Sequence, residues 1–330
     1  MDSHGRRDFL IASGALFASP LARAQQPGRQ YVVGALITGG RIDWDLYRAA
    51  LRERLASHGF VEGRNLRIED RLGFSPDGAA RATREFAAMK VDAIFACTSR
   101  TMIGVSAATK SVPVIFTWVT DPIGLGFVRD FARPGGNITG VASRDEELIQ
   151  KRFELGVELA PGAKRIAVVH AAGAGLAFYS TVMRPLLVQA ANQAGVELLE
   201  LLAQDRDKAI DDAHEAGAKA VLTDIHVIRS GYRNVLDALI RRSLEQRIAL
   251  IAKGAEEAEA GALIAYGSDS IEELQRAADM LAKVLKGAKP GDLPVEQASR
   301  FKLVVNLKTA KAIGLAIPPS ILLRADRVIE

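Results

Sequence analysis

The chain has 330 residues, 48% of them hydrophobic and 25% charged, which excludes a disordered or collagenous protein and exceeds the size at which one core usually stays undivided. With 43 basic and 39 acidic residues the formal charge is only +4, and no Lys/Arg run exceeds two, so the clustered positive charge of a nucleic-acid binder is missing. A single cysteine, Cys97, rules out an intramolecular disulfide.

The N-terminal stretch "GRRDFLIASGALFASPLARAQQ" opens with Arg6 and Arg7, continues through an apolar run from Phe9 to Ala18 and reaches a small-residue "ARA" at 22–24. That is the layout of a cleavable export signal, and the paired arginines suit the twin-arginine route as well as the Sec route. The apolar run is too short to span a bilayer. Residues 1–24 are therefore expected to be removed, leaving a periplasmic protein with no lipid-attachment cysteine near the cleavage site.

From residue 31 strands and helices alternate. "YVVGALIT" (31–38) reads as a buried strand, followed by a helix from Asp45 to His58 that Gly59 closes. "NLRIEDR" is a second strand, and Pro76 opens a helix with Ala79, Ala82, Phe86 and Met89 on one face. "VDAIFACT" is a third strand, 101–110 a helix and "VPVIFTW" a fourth strand; "DPIGLGFVRDF" is predicted helical, and "NITGVA" is a fifth strand. The series then restarts with a helix over 145–159. Strand "RIAVVHA" leads to helix 176–194, "VELLELL" to helix 206–216, "KAVLTD" to helix 231–245, and "IALIA" and "ALIAYG" follow. An amphipathic helix at 271–286 ends at Gly287, and "FKLVVN" precedes two short helices around "PPS".

Apolar strands alternating with helices define an α/β protein of two doubly wound parallel-sheet lobes. Ligands of such sheets bind outside the carboxyl ends of the strands. The residues there are Thr38 after the first strand, Thr98, Ser99 and Arg100 after the third, and Trp118 and Asp121 after the fourth. In the second series they are His170, Asp224 and Lys253, with Phe178 closing the glycine-rich "GAGLAF". That segment lacks the third glycine of a dinucleotide fingerprint, so no nucleotide cofactor is expected. The histidines show no metal-ligand spacing, and no metal or other cofactor is expected either. Thr, Ser, Asp and His with one Trp suit a polar or zwitterionic small molecule. Backbone amides at the following helix N-termini can take a carboxylate, Trp118 can offer an apolar wall, and Asp224 suits an ammonium group. Asp121 before Pro122 reads first as a helix cap and second as a ligand contact. Gly135 and Gly136 read as backbone freedom where the chain leaves the first lobe.

"TDPIGLGFVRDFARPGGNITGV" and the C-terminal "FKLVVNLKTAKAIGLAIPPSILLRADRVIE", together with "GFVEGRN", "PGAKRIAV" and "AYGSD", closely resemble the ABC-transporter substrate-binding proteins of the tryptophan/tyrosine type. The resemblance implies the type I periplasmic binding, or Venus-flytrap, fold: two lobes joined by a three-segment hinge that closes on a ligand. It implies no catalysis, no nucleic acid, and delivery by a monomer to an ABC permease in the inner membrane. Lobe 1 would comprise 31–143 plus 268–292 and lobe 2 would comprise 144–267 plus 293–330, the first lobe taking back the long helix near 271–286. The expected ligand is a small carboxylate-bearing molecule, an amino acid, aromatic ones included, or a related organic acid. The alternative is an exported two-lobed enzyme of racemase or hydrolase type, whose catalytic pair would be His170 with Asp121 or Asp224 with His226.

Overall fold

The computed structural model describes residues 28–37, 41–72, 75–170, 179–203, 206–223 and 233–330. The first lobe carries a parallel sheet of β1 (Tyr31–Ile37), β2 (Leu66–Leu72), β3 (Ala93–Cys97), β4 (Val114–Val119), β5 (Ile138–Ala142) and β11 (Glu296–Gln297), ordered β11-β5-β4-β3-β1-β2. The second is built on β6 (Arg165–His170), β7 (Glu197–Leu202), β8 (Ala220–Thr223), β9 (Ala249–Ala252), β10 (Ile264–Ser268), β12 (Phe301–Asn306) and β13 (Arg327–Ile329), ordered β13-β12-β10-β9-β8-β6-β7. β10 and β12 are the antiparallel pair of an otherwise parallel sheet. Taken from its own first strand, each lobe runs in the same 2-1-3-4-5 order, the doubly wound arrangement expected from the repeated series.

The apolar strands explain the layering. Every residue of β3, β4, β5, β8 and β9 is buried because helices cover both faces. Glycines permit two close approaches in the first lobe. A Cβ on Gly34 would come within 2.5 Å of the Phe86 ring, and one on Gly104 within 2.0 Å of the Pro76 carbonyl oxygen. The first lets the helix Pro76–Ala88 lie on β1, and the second brings the helix Thr98–Ala108 against it. Ala79, Ala82 and Phe86 are buried as the helical spacing predicts, whereas Met89 is exposed, because the helix ends there and Met89 is its C-cap. The helix Ser270–Leu285, capped by the Asp269 side chain, buries Leu274, Ala277, Ala278 and Leu281 in the core of the first lobe.

Three differences from the sequence reading concern the path of the chain. "DPIGLGFVRDF" forms a succession of turns over 122–127 rather than a helix, Gly126 taking φ +71°. Gly135 (φ +63°) and Gly136 (φ +84°) do not sit at a crossing. They precede β5 and face Gly291, whose Cβ, if it had one, would lie 2.8 Å from the Gly136 carbonyl oxygen. The chain leaves the first sheet only after Ala142. The final return also comes later than the 293 boundary, since Glu296 and Gln297 pair with Val141 and Ala142 of the first sheet. The crossings therefore follow Ala142, Ser268 and Gln297. They are tied together by Ala298 N–H donating to Ala142 O (2.9 Å) and Asp269 N–H to Arg300 O (3.1 Å).

Candidate ligand-binding cleft

The strand orders put a switch point between β1 and β3 in the first lobe and between β6 and β8 in the second. Ligands of open α/β sheets bind in the crevice outside such points. Thr38, Phe178 and Asp224, three of the residues expected there, lie outside the described residues. The others can be placed.

On the first lobe β3 runs directly into the helix Thr98–Ala108, whose N-cap Cys97 makes no side-chain cap hydrogen bond. Thr98 has φ +74°, costly for a β-branched residue. Ser99 Oγ ties this turn to the end of β4, accepting from Thr120 N–H at 3.0 Å. Arg100 is exposed. Trp118 (φ +58°) is buried, 5% exposed, its Nε1–H donating to Ser270 O at 3.2 Å and its ring edge-on to Tyr47 with centroids 4.6 Å apart. Asp121 (φ +48°) accepts from Gly124 N–H at 2.8 Å, which is cap geometry on a turn rather than on a helix.

Five described non-glycine residues have positive φ. Lys90 and Arg247 follow helices, while Thr98, Trp118 and Asp121 cluster at the carboxyl ends of β3 and β4. Strain of this kind concentrates at ligand clamps and active sites.

On the second lobe His170 is buried and stacks on Tyr179, with ring centroids 3.9 Å apart and planes 2° from parallel. Tyr179 O–H donates to Glu200 at 3.0 Å. Lys253 is buried, its Nζ donating to Asp145 Oδ2 at 3.0 Å, and Asp145 also accepts from Thr120 Oγ1 at 3.4 Å. The next residue along, Glu146, borders a small cavity with Asp121, Pro122, Ser143 and Arg144. Burial pushes the Glu146 carboxyl above its usual value, against the pull of its own backbone N–H, and the charges of Asp145, Asp121 and Glu147 push the same way.

Sequence reasoning missed the residues that join the lobes. Tyr47, in the helix Arg41–Ser57 of the first lobe, donates its O–H to Glu256 Oε1 at 2.7 Å, in the helix Ala255–Glu259 of the second. Asp145 bridges Thr120 and Lys253 across the first crossing. Neither has a local signal, because the partners are 209 and 108 residues apart. The enzyme alternative gains no support from its first pair, since the Asp121 carboxylate caps a turn and the His170 ring stacks on Tyr179, while its second pair, Asp224 with His226, lies outside the described residues.

Two doubly wound lobes joined by three crossings, with strained residues at the carboxyl ends of β3 and β4 in the first, form the architecture of a solute-binding protein. The ABC transporter substrate binding protein family matches residues 43–329, and the chain belongs to that family. A tyrosine-binding protein of Clostridioides difficile (strain R20291) is 27% identical over 79% of this chain and 74% of its own length. A conserved domain protein from Vibrio cholerae superposes with a TM-score of 0.79 at 26% identity, covering 91% of this chain and 100% of that one. An ABC domain in complex with L-Trp from Streptococcus pneumonia gives a TM-score of 0.79 at 24% identity over the same shares, and supports the fold. No helix among the described residues is long and apolar enough to cross a membrane.

Proposed function

We propose that the protein is the exported, monomeric, non-catalytic solute receptor of an ABC importer, that it binds an L-amino acid of the aromatic class between its lobes, and that it delivers it to a permease in the inner membrane. The observation that carries this reading is the row of strained non-glycine residues, Thr98, Trp118 and Asp121, at the carboxyl ends of β3 and β4, where ligands of open α/β sheets bind. The start of the helix Thr98–Ala108 takes the ligand carboxylate, because the first-turn N–H groups and the helix dipole favour an anion there. Thr38 and Ser99 add polar contacts, Trp118 lines the apolar end, and Arg100 stays in solvent. His170, Phe178 and Asp224 close from the other side, Asp224 meeting the ammonium group, with Lys253 held at the base of the cleft by Asp145. The aromatic class rests on the tyrosine-binding relative and on the L-Trp complex. The charged start and apolar run within residues 1–24 support export to the periplasm.

Calorimetric titration of the purified protein with L-tyrosine, L-tryptophan, aliphatic amino acids and simple organic acids tests the reading. Binding of at least one aromatic amino acid at micromolar affinity or better is expected, with the ligand recovered unchanged. Affinities no tighter than millimolar across the panel would sink it.

A further inference from the structure

We propose that the Tyr47–Glu256 hydrogen bond is a latch that holds the two lobes closed and sets the resting balance between open and closed forms, separately from any contact with ligand. The inference rests on the solute-receptor reading and adds to it a residue pair that tunes affinity from outside the binding contacts.

The 2.7 Å bond from Tyr47 O–H to Glu256 Oε1 spans the two lobes. The Tyr47 ring is 2% exposed in the core of the first lobe, so its hydroxyl is presented from a fixed position. Glu256 lies in the first turn of the short helix Ala255–Glu259, and that helix is anchored in turn. The neighbouring Glu257 carboxylate, fully buried, accepts from the backbone N–H groups of Lys253 (3.0 Å) and Gly254 (3.1 Å). Both partners are thus mounted on rigid supports, and rotation about the hinge must break the bond between them.

The Tyr47 side of the contact also reaches the hinge. Its ring packs edge-on against Trp118, and Trp118 Nε1–H donates to the carbonyl of Ser270, two residues past the end of β10, where the chain has just recrossed. Ser143, at the first crossing, donates to the buried Glu273 on the same helix at 3.1 Å. One path of packed groups therefore runs from Glu256 through Tyr47 and Trp118 to the segment about which the lobes turn. When only part of a population is competent to bind, apparent affinity falls by that fraction. A bond made only in the closed form raises it.

The test compares wild type, Tyr47→Phe, Glu256→Ala and the double variant by small-angle scattering, unliganded and with saturating L-tyrosine or L-tryptophan, and by calorimetric titration with the same probes. Tyr47→Phe is expected to expand the scattering profile and weaken affinity by about tenfold, the effect of one hydrogen bond to a charged group. The double variant should lose no more than the worse single variant, since both remove the same contact. Scattering profiles identical to wild type in both states overturn the latch, as do additive losses in the double variant. Unchanged profiles with weaker binding would place Tyr47 on the ligand instead and also overturn it. The unliganded scattering needs no ligand, so a failure of the probes to bind tells against the receptor reading and leaves the latch decidable.

Discussion

Lys253 and Asp145 form a pair whose side chains are only 7% and 14% exposed, one after β9 of the second lobe and the other just past the first crossing. Taking both charges out of water is costly, and the 3.0 Å contact, helped by Thr120 at 3.4 Å, offsets that cost only while both are present. Lys253→Met and Asp145→Asn should each destabilise, by up to about 3–5 kcal/mol, because each takes one partner away from a buried charge. The double variant should recover most of the loss. Thermal unfolding of the three variants decides it, and a double variant worse than both singles would show that the pair is not the unit described.

Asp121 offers a second test, of cap against ligand contact. Its carboxylate accepts from Gly124 N–H at 2.8 Å, and its φ of +48° is one that Asn tolerates well. Asp121→Asn should therefore leave the melting temperature near wild type, while Asp121→Ala should cost about 1 kcal/mol, as a lost cap does. Gly124→Ala should cost about as much as Asp121→Ala, because its Cβ would stand 1.9 Å from Asp121 Oδ2 and turn the carboxylate out of its cap. A ligand contact adds a loss of affinity in Asp121→Asn at unchanged stability. Titration beside thermal unfolding separates the two roles.

What could be read from sequence followed from how local each signal is. Pro76 at a helix start and the wholly buried β3, β4, β8 and β9 are legible because propensity and burial agree over a few residues. The turns over 122–127 deceived because an apolar stretch after Asp-Pro has helical spacing, yet Gly126 at φ +71° breaks it. The two-residue β11 left no periodicity to detect, so the last crossing was placed too early. Counting strands put Thr98, Ser99, Trp118, Asp121, His170 and Lys253 at the carboxyl ends of their strands, and the structure has them there. Counting could not pair Tyr47 with Glu256 or Lys253 with Asp145, because contacts across a hinge depend on how two separately specified lobes meet.

Glu146 predicts a stabilising substitution. Its carboxyl is raised by burial and by the nearby Asp145, Asp121 and Glu147 charges, so the folded state binds a proton more tightly than the unfolded chain does. A raised carboxylate leaves stability intact below the unfolded value, near pH 4.3, and subtracts from it as pH rises through the folded value. Glu146→Gln should thus raise the melting temperature at pH 7, with the gain vanishing below about pH 4. A melting series from pH 3 to 8 reads this directly, and a gain that persists unchanged in acid would show that the charge is not its cause.

Asp279 predicts the opposite sign. Burial alone would push its carboxyl up, but hydrogen bonds from Arg54 Nε (2.6 Å), Arg54 Nη2 (2.8 Å) and His58 Nε2 (2.6 Å) outweigh it and hold the group below its ordinary value. These contacts pin the returning helix Ser270–Leu285 to the helix Arg41–Ser57 of the same lobe. A lowered carboxylate contributes stability that is present above the unfolded value, near pH 3.9, and is lost as pH falls through the folded value. Asp279→Asn should lower the melting temperature at pH 7, and its curve should converge on wild type only as pH falls below about 3.9 and through the lowered folded value. Arg54→Gln removes the bidentate partner while leaving His58, so its loss should be smaller and should follow the same pH course. If the two variants instead stayed equally far below wild type in acid, the contact would be acting through packing rather than through charge.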